Sequence, residues 1–134
     1  MKKAILSIIF RKNKDNYEYL LLKRIPSRGG FWQPVSGRVE EGESELDAAK
    51  REVIEETGIE DFLRVEKGFY DFILENEPDK KSFCFGFEID LKVKITLDPN
   101  EHSEYKWCSF DQSINLIKWP HNKKALKRLQ KSLG

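Results

Sequence analysis

A mixed α/β domain is what the sequence predicts, and three observations predict it. Between Ser82 and Leu97 an apolar side chain falls at every odd position from Phe83 to Leu97, with mostly polar residues between them. That alternation is the period of a half-buried strand. From Ser44 to Gly58 the pattern changes to helical spacing, with a capping serine before it and a glycine after it. Near the amino terminus two short apolar runs flank a polar turn, as in a hairpin. A chain of 134 residues, 39% of them hydrophobic, has material for one core, so residues 1–134 are expected to form a single domain.

The elements follow in order. Lys3–Phe10 and Tyr17–Lys23 read as strands around the turn Arg11–Asn16. Ile25–Gly30 is a loop by its Pro, Ser and Gly content, and it leads into the aromatic stretch Phe31–Val35. Ser44 is a good N-cap with Asp47 as a weak capping-box partner, Ala48 and Ala49 favour helix, and Gly58 is placed to end it, giving a helix over 45–57. At about 100° per residue, Leu46, Ala49, Val53 and Thr57 share the face that would pack on a sheet. The strand from Ser82 should break near Asp90. Asp98-Pro99-Asn100 is a turn, Tyr105–Phe110 a short strand, and Asp111 a cap for a short helix ending before Pro120. A last helix buries Ala125, Leu126, Leu129 and Leu133 and turns Lys123, Lys124, Lys127, Arg128 and Lys131 to solvent.

Composition excludes several functions. Lys plus Arg number 24 and Asp plus Glu 23, a net charge of +1, so no charge excess favours a nucleic-acid polymer. No apolar run approaches the roughly 20 residues of a membrane span, and the run Ala4–Phe10 is followed by Arg11 and Lys12 with no small-residue cleavage site. A cytoplasmic location is expected. Cys84 and Cys108 are too few and too far apart for a zinc cluster or disulfide framework and are read as buried, reduced thiols.

The chemistry is concentrated on the helix. Glu52, Glu55 and Glu56 stand at i, i+3 and i+4, where like charges repel by a few tenths of a kcal/mol per pair. A divalent cation offsets that repulsion, and an all-oxygen ligand set selects Mg²⁺ or Mn²⁺ bridging to phosphate rather than zinc. Such a cation can neutralise a pyrophosphate and lower the pKa of a water, which phosphoanhydride hydrolysis requires.

Residues 37–59 resemble the Nudix box, Gly-x5-Glu-x7-Arg-Glu-U-x-Glu-Glu-x-Gly-U with U a bulky aliphatic, and match it at Gly37, Glu43, Arg51, Glu52, Val53, Glu55, Glu56, Gly58 and Ile59. At average residue usage, a chance match at the seven fixed residues is on the order of 10⁻⁹ per starting point. The resemblance implies an α/β/α sandwich around a mixed β-sheet and hydrolysis of a nucleoside diphosphate linked to another group. By position it implies that Glu52, Glu55, Glu56 and the Gly37 carbonyl hold metal, that Arg51 orients the glutamates and Glu43 supports it, and that Gly58 shapes the backbone. It also implies one further acid from the loop before the last strand. Glu101 occupies that place as second-cation ligand or general base, with Glu104 and His102 as surface or supporting residues.

Phe31–Gly37, Tyr105-Lys106-Trp107 and Ile117–Asn122 are similar to the dihydroneopterin-triphosphate and dATP pyrophosphohydrolase branch, whereas dinucleoside polyphosphate hydrolases usually read Pro-Lys-Gly at Val35-Ser36-Gly37. The implied substrate is a small nucleoside or pterin triphosphate, for a monomer or homodimer. The alternatives are a dinucleoside polyphosphate hydrolase and a non-catalytic nucleotide sensor. Arg24 and Arg28 are candidates to grip distal phosphates. Trp119, Tyr70 and Phe83 are candidates to stack on a ring, and Asn122 either reads a ring edge or caps the last helix.

Overall fold

Strands β1 (Lys2–Asn13) and β2 (Asn16–Arg24) form the hairpin at the centre of the fold in the computed structural model, which describes residues 1–134. They continue through β3 (Trp32–Gln33), β4 (Val35–Arg38), α1 (Glu45–Thr57), β5 (Arg64–Ile73), β6 (Lys80–Ile89), β7 (His102–Cys108), α2 (Phe110–Leu116) and α3 (Pro120–Leu133). The seven strands make one sheet in the order β3-β2-β1-β6-β5, with β4 on β1 and β7 on β2. Only β1 and β6 run parallel, from Lys2 opposite Lys80 to Arg11 opposite Ile89, so the sheet is mixed as expected.

The hairpin is paired only near its turn, from Asn13 opposite Asn16 to Phe10 opposite Tyr19. Beyond that the two strands part. Ala4 to Ser7 of β1 pair with β4, while Leu22 and Lys23 of β2 pair with β3. The split lets Ser36 and Gly37 lie against Leu6 and Ile5.

Both faces of the central strands are covered, which is why their sequences read as near-continuous apolar runs. Ile5, Ile9, Leu20, Leu22, Phe87 and Ile89 pack under α1, which contributes Ala48, Ala49 and Val53. Leu6, Ile8, Phe10, Tyr19 and Leu21 face the other way, onto Ile117 and onto Ala125, Leu126 and Leu129 of α3. The result is the α/β/α sandwich. Cys84 and Cys108 are buried free thiols in this second core, and burial pushes both thiols up from their ordinary pKa. No helix is long and apolar enough to cross a membrane.

Several expected boundaries change. The strand from Ser82 begins at Lys80 and stops at Ile89; the residues beyond Asp90 form no strand, although Val93, Ile95 and Leu97 still pack on the first core. Their alternation therefore reflects burial of one side of a loop. The last strand spans His102–Cys108 rather than Tyr105–Phe110. Ser109, not Asp111, caps α2, in a full capping box with Gln112. Strand β5 was not evident from its sequence because a bulge interrupts its pairing between Lys67 and Asp71, around Gly68 at φ 74°.

Leu129 is fully buried where α3 meets the sheet. Leu129→Ala should lower unfolding free energy by about 2–5 kcal/mol, measured by urea titration against the parent chain.

Candidate active site

One cavity of about 930 Å³ opens over the split in the sheet, large enough for a nucleotide-sized molecule. Gly37 and Ser36 of β4, Glu52, Glu55 and Glu56 of α1, Arg24 at the end of β2, Arg28, Glu101, and Trp119 to Asn122 at the start of α3 all line it. The candidate residues from distant parts of the sequence are thus brought to a single wall.

Helix α1 forms as its sequence dictates. The Ser44 hydroxyl accepts from the Asp47 N–H, and Gly58 ends the helix at φ 74°. With Ala48, Ala49 and Val53 locked in the core, the acidic face is directed at the cavity. Arg51 then ties the site together. Its Nε donates to Glu43 Oε2 at 2.8 Å and its Nη2 to Glu43 Oε1 at 3.0 Å and to the Arg38 carbonyl at 2.9 Å. Its Nη1 donates to Glu52 Oε1 at 2.9 Å and reaches Glu55 at 3.3 Å. The guanidinium lowers the pKa of the Glu43 carboxyl below its ordinary value, chiefly by hydrogen bonding.

The three helix glutamates differ in environment. Glu55 is exposed, Glu52 is largely covered, and Glu56 is only 5% exposed. Burial first, and then the neighbouring Glu52 and Glu101, hold the Glu56 carboxyl well above the usual carboxylate range. Gly37 makes room for this packing: a Cβ there would run into the Glu52 carboxyl.

The donor set fits a hard divalent cation. It consists of carboxylate oxygens, and a buried carboxylate that resists ionisation beside two others is stabilised by an added positive charge. No three His, Cys, Asp or Glu side chains are gathered into a ready-made ligand cage. Mg²⁺ does not need one, since it keeps several waters and takes one or two carboxylates plus substrate phosphates.

Near Glu56, Glu101 lies between Arg24 Nη2 at 3.7 Å and Arg28 Nη2 at 3.5 Å. Glu104 instead points away and pairs with Lys23 at 3.5 Å, with no part in the cavity. Trp119 lines the cavity, 45% exposed and edge-on to Phe31. Asn122 does not cap α3: the helix has no side-chain cap, and Asn122 is buried at the cavity wall. Tyr70 and Phe83 are not on that wall. Phe83 packs on the first core, and Tyr70 lies behind His121, whose Nδ1 is 2.8 Å from the Tyr70 hydroxyl. Phe72, which the sequence does not single out, lines the cavity instead, face to face with His121 at 4.7 Å. Two residues on β5 from it, Tyr70 gave the nearest sequence signal. His102, expected at the surface or as support, is 1% exposed with Nδ1 3.6 Å from Glu56 Oε1.

An α/β/α sandwich carrying an arginine-tied row of glutamates over a phosphate-sized cleft is the architecture of a hydrolase of nucleotide phosphoanhydrides. The chain belongs to the Nudix family: the NUDIX domain model matches residues 1–129. The asymmetrical bis(5'-nucleosyl)-tetraphosphatase of Rattus norvegicus is 35% identical over 89% of this chain and 86% of its own length. An octanoyltransferase of Myxococcus xanthus is 60% identical over 81% of this chain but only 31% of its own length. Among solved structures, a C. elegans Ap4A hydrolase binary complex superimposes with a TM-score of 0.81 at 25% identity, covering 99% of this chain and 98% of that one. The E. coli dihydroneopterin triphosphate pyrophosphohydrolase gives 0.72 at 28%, covering 94% and 92%.

The depressed Glu43 pKa has a stability consequence. Because the folded-state value lies below the unfolded one, the stabilisation is present above the unfolded pKa and is lost as pH falls through the folded one. Glu43→Gln should therefore lower Tm at pH 7, and the gap from the parent chain should close as the pH is taken below the ordinary value of 4.5. Thermal melts across pH 2.5–7 measure this.

Proposed function

We propose that this chain, as a single catalytic domain, hydrolyses a nucleoside or pterin triphosphate to the monophosphate and pyrophosphate. The observation that carries the reading is the meeting of Arg24, Arg28 and Glu101 in one cavity with Glu52 and Glu56. Groups suited to bind phosphate and to accept a proton thereby adjoin the acidic helix. The Glu52, Glu55 and Glu56 carboxylates and the Gly37 carbonyl would hold Mg²⁺ or Mn²⁺, which neutralises phosphate charge and acidifies a bound water. Arg28 and Arg24 grip the distal phosphates with paired N–H donors. As they turn to phosphate, the Glu101 carboxylate is released to accept a proton from the attacking water. Arg51 keeps Glu52 oriented, and its fork of donors leaves the other Glu52 oxygen free. Trp119 and the Phe72–His121 pair offer ring faces, and Asn122 offers an amide to a ring edge.

A second reading, cleavage of a dinucleoside polyphosphate, is favoured by the name of the rat relative and by the size of the cavity. Val35-Ser36 before Gly37 speaks for the first. Phosphorus NMR of the products separates the two. Pyrophosphate and monophosphate from dATP or dihydroneopterin triphosphate are expected. Orthophosphate plus a nucleoside diphosphate would refute the proposed bond, and efficient turnover of Ap4A with poor turnover of triphosphates would establish the second reading.

Glu55→Gln and Glu56→Gln keep shape and remove charge; each should lower kcat by orders of magnitude and weaken Mn²⁺ binding while the fold persists. Glu101→Gln should lower kcat with little change in KM, and Glu104→Gln should do much less. The reverse ordering, from steady-state kinetics at saturating Mg²⁺, would put the wrong carboxylate in the site.

A further inference from the structure

His102 opens β7 behind the acidic helix. It pairs with Arg24 beyond a register shift at which β7 carries the extra residue Ser103, and its backbone N–H is fixed by the Asp98 carbonyl at 3.0 Å. The ring is 1% exposed, and neither Nδ1 nor Nε2 has a hydrogen-bond partner. A buried imidazole with both nitrogens unpaired is rare and costs free energy, so it calls for a reason. Its neighbour supplies one. Glu56 Oε1 lies 3.6 Å from Nδ1, just beyond hydrogen-bond length, on the side of the carboxyl group away from the cavity, since Glu56 lines the cavity and His102 does not.

We infer that His102 is a positioning residue for Glu56: its Nδ1–H donates to Oε1 of the ionised carboxylate and holds the other oxygen toward the cavity. This rests on the reading of Glu56 as a metal ligand. The geometry needs a contraction of only a few tenths of an ångström, within side-chain torsion, to reach ordinary N–H···O length. A neutral imidazole carries a single N–H, and with Glu56 Oε1 facing Nδ1 the carboxylate selects the Nδ1–H tautomer. Partners of this kind fix the rotamer of a metal-binding carboxylate, and their loss typically costs about 10–100-fold in metal affinity or activity. The ring touches neither cavity nor substrate, so its effect should appear in metal binding and kcat rather than in KM.

The test uses three variants of the full chain and Mn²⁺ as the probe, with free Mn²⁺ followed by electron paramagnetic resonance without substrate. His102→Asn sets an amide N–H near the place of Nδ1, His102→Gln sets one near Nε2, and His102→Leu has no donor. Leu and Gln should weaken Mn²⁺ binding about 10–100-fold and lower kcat in step, whereas Asn should recover most of both. Equal Mn²⁺ affinity in all three and the parent chain would overturn the inference. So would equal losses in Asn and Gln accompanied by equal falls in Tm, the pattern of a structural residue. If His102→Leu does not fold, the Asn and Gln comparison still decides. Glu56→Gln is the control: if it leaves Mn²⁺ binding unchanged, the metal reading itself fails, whereas a loss there with none in the His102 variants overturns His102 alone.

Discussion

The guanidinium of Arg51 is the joint on which the acidic site is assembled. It spans three pieces of chain: the end of β4 through the Arg38 carbonyl, the connecting loop through both oxygens of Glu43, and α1 itself through Glu52 and Glu55. Five donors in a rigid plane suit that task; a lysine ammonium could not reach the same set in fixed directions. The helix is anchored by Ala48, Ala49 and Val53, and the Gly37 strand by its pairing with β1. Packing and pairing therefore set where the two elements lie, and Arg51 ties their functional ends together.

That division explains how the chain keeps a buried carboxylate. Glu56 is surrounded by acidic neighbours and has its charged form opposed by burial, an arrangement that would be selected against in a purely structural helix. Arg24 and Arg28 supply positive charge, yet both are paired with Glu101. Negative charge consequently exceeds what the protein neutralises at the mouth of the cavity. On the proposed reading, a cation and a phosphate chain would complete the site together, each cancelling the charge that makes the other unfavourable.

Much of this was legible in the sequence because it is local. The capped helix, its apolar face and its glutamates lie within residues 44–58, where spacing alone determines which side chains share a face. Strand pairing of β7 with β2 turns Glu104 outward toward Lys23, while Glu101, in the loop before β7, lines the cavity. What was not legible depends on tertiary contact. Asn122 looked like a cap by its position near a helix start, but Trp119 and Pro120 begin that helix without a side-chain cap and leave Asn122 in the wall. Tyr70 and Phe72, two apart on β5, share one face of the sheet and stack on each other. Only Phe72 reaches the cavity, a matter of distance along the strand that alternation does not register.

The same distinction separates reaction from substrate. On the proposed reading, the parts that would act on the phosphoanhydride come from β4, α1 and the loop before β7, and one short motif fixes most of their geometry. The parts that would meet the base or pterin come from elsewhere: Phe72 on β5, and Trp119, His121 and Asn122 at the start of α3. These two elements touch each other through the Phe72–His121 stack and the Tyr70–His121 hydrogen bond, and neither depends on the motif for its position. Substitutions on that wall can change pocket shape while the glutamates stay in place. A single scaffold can thus retain phosphoanhydride chemistry across relatives whose names specify a dinucleoside tetraphosphate in one case and a pterin triphosphate in another. On the proposed reading, selectivity in this chain would be set at the contact between β5 and α3, where the rings that line the cavity meet, rather than in the acidic helix.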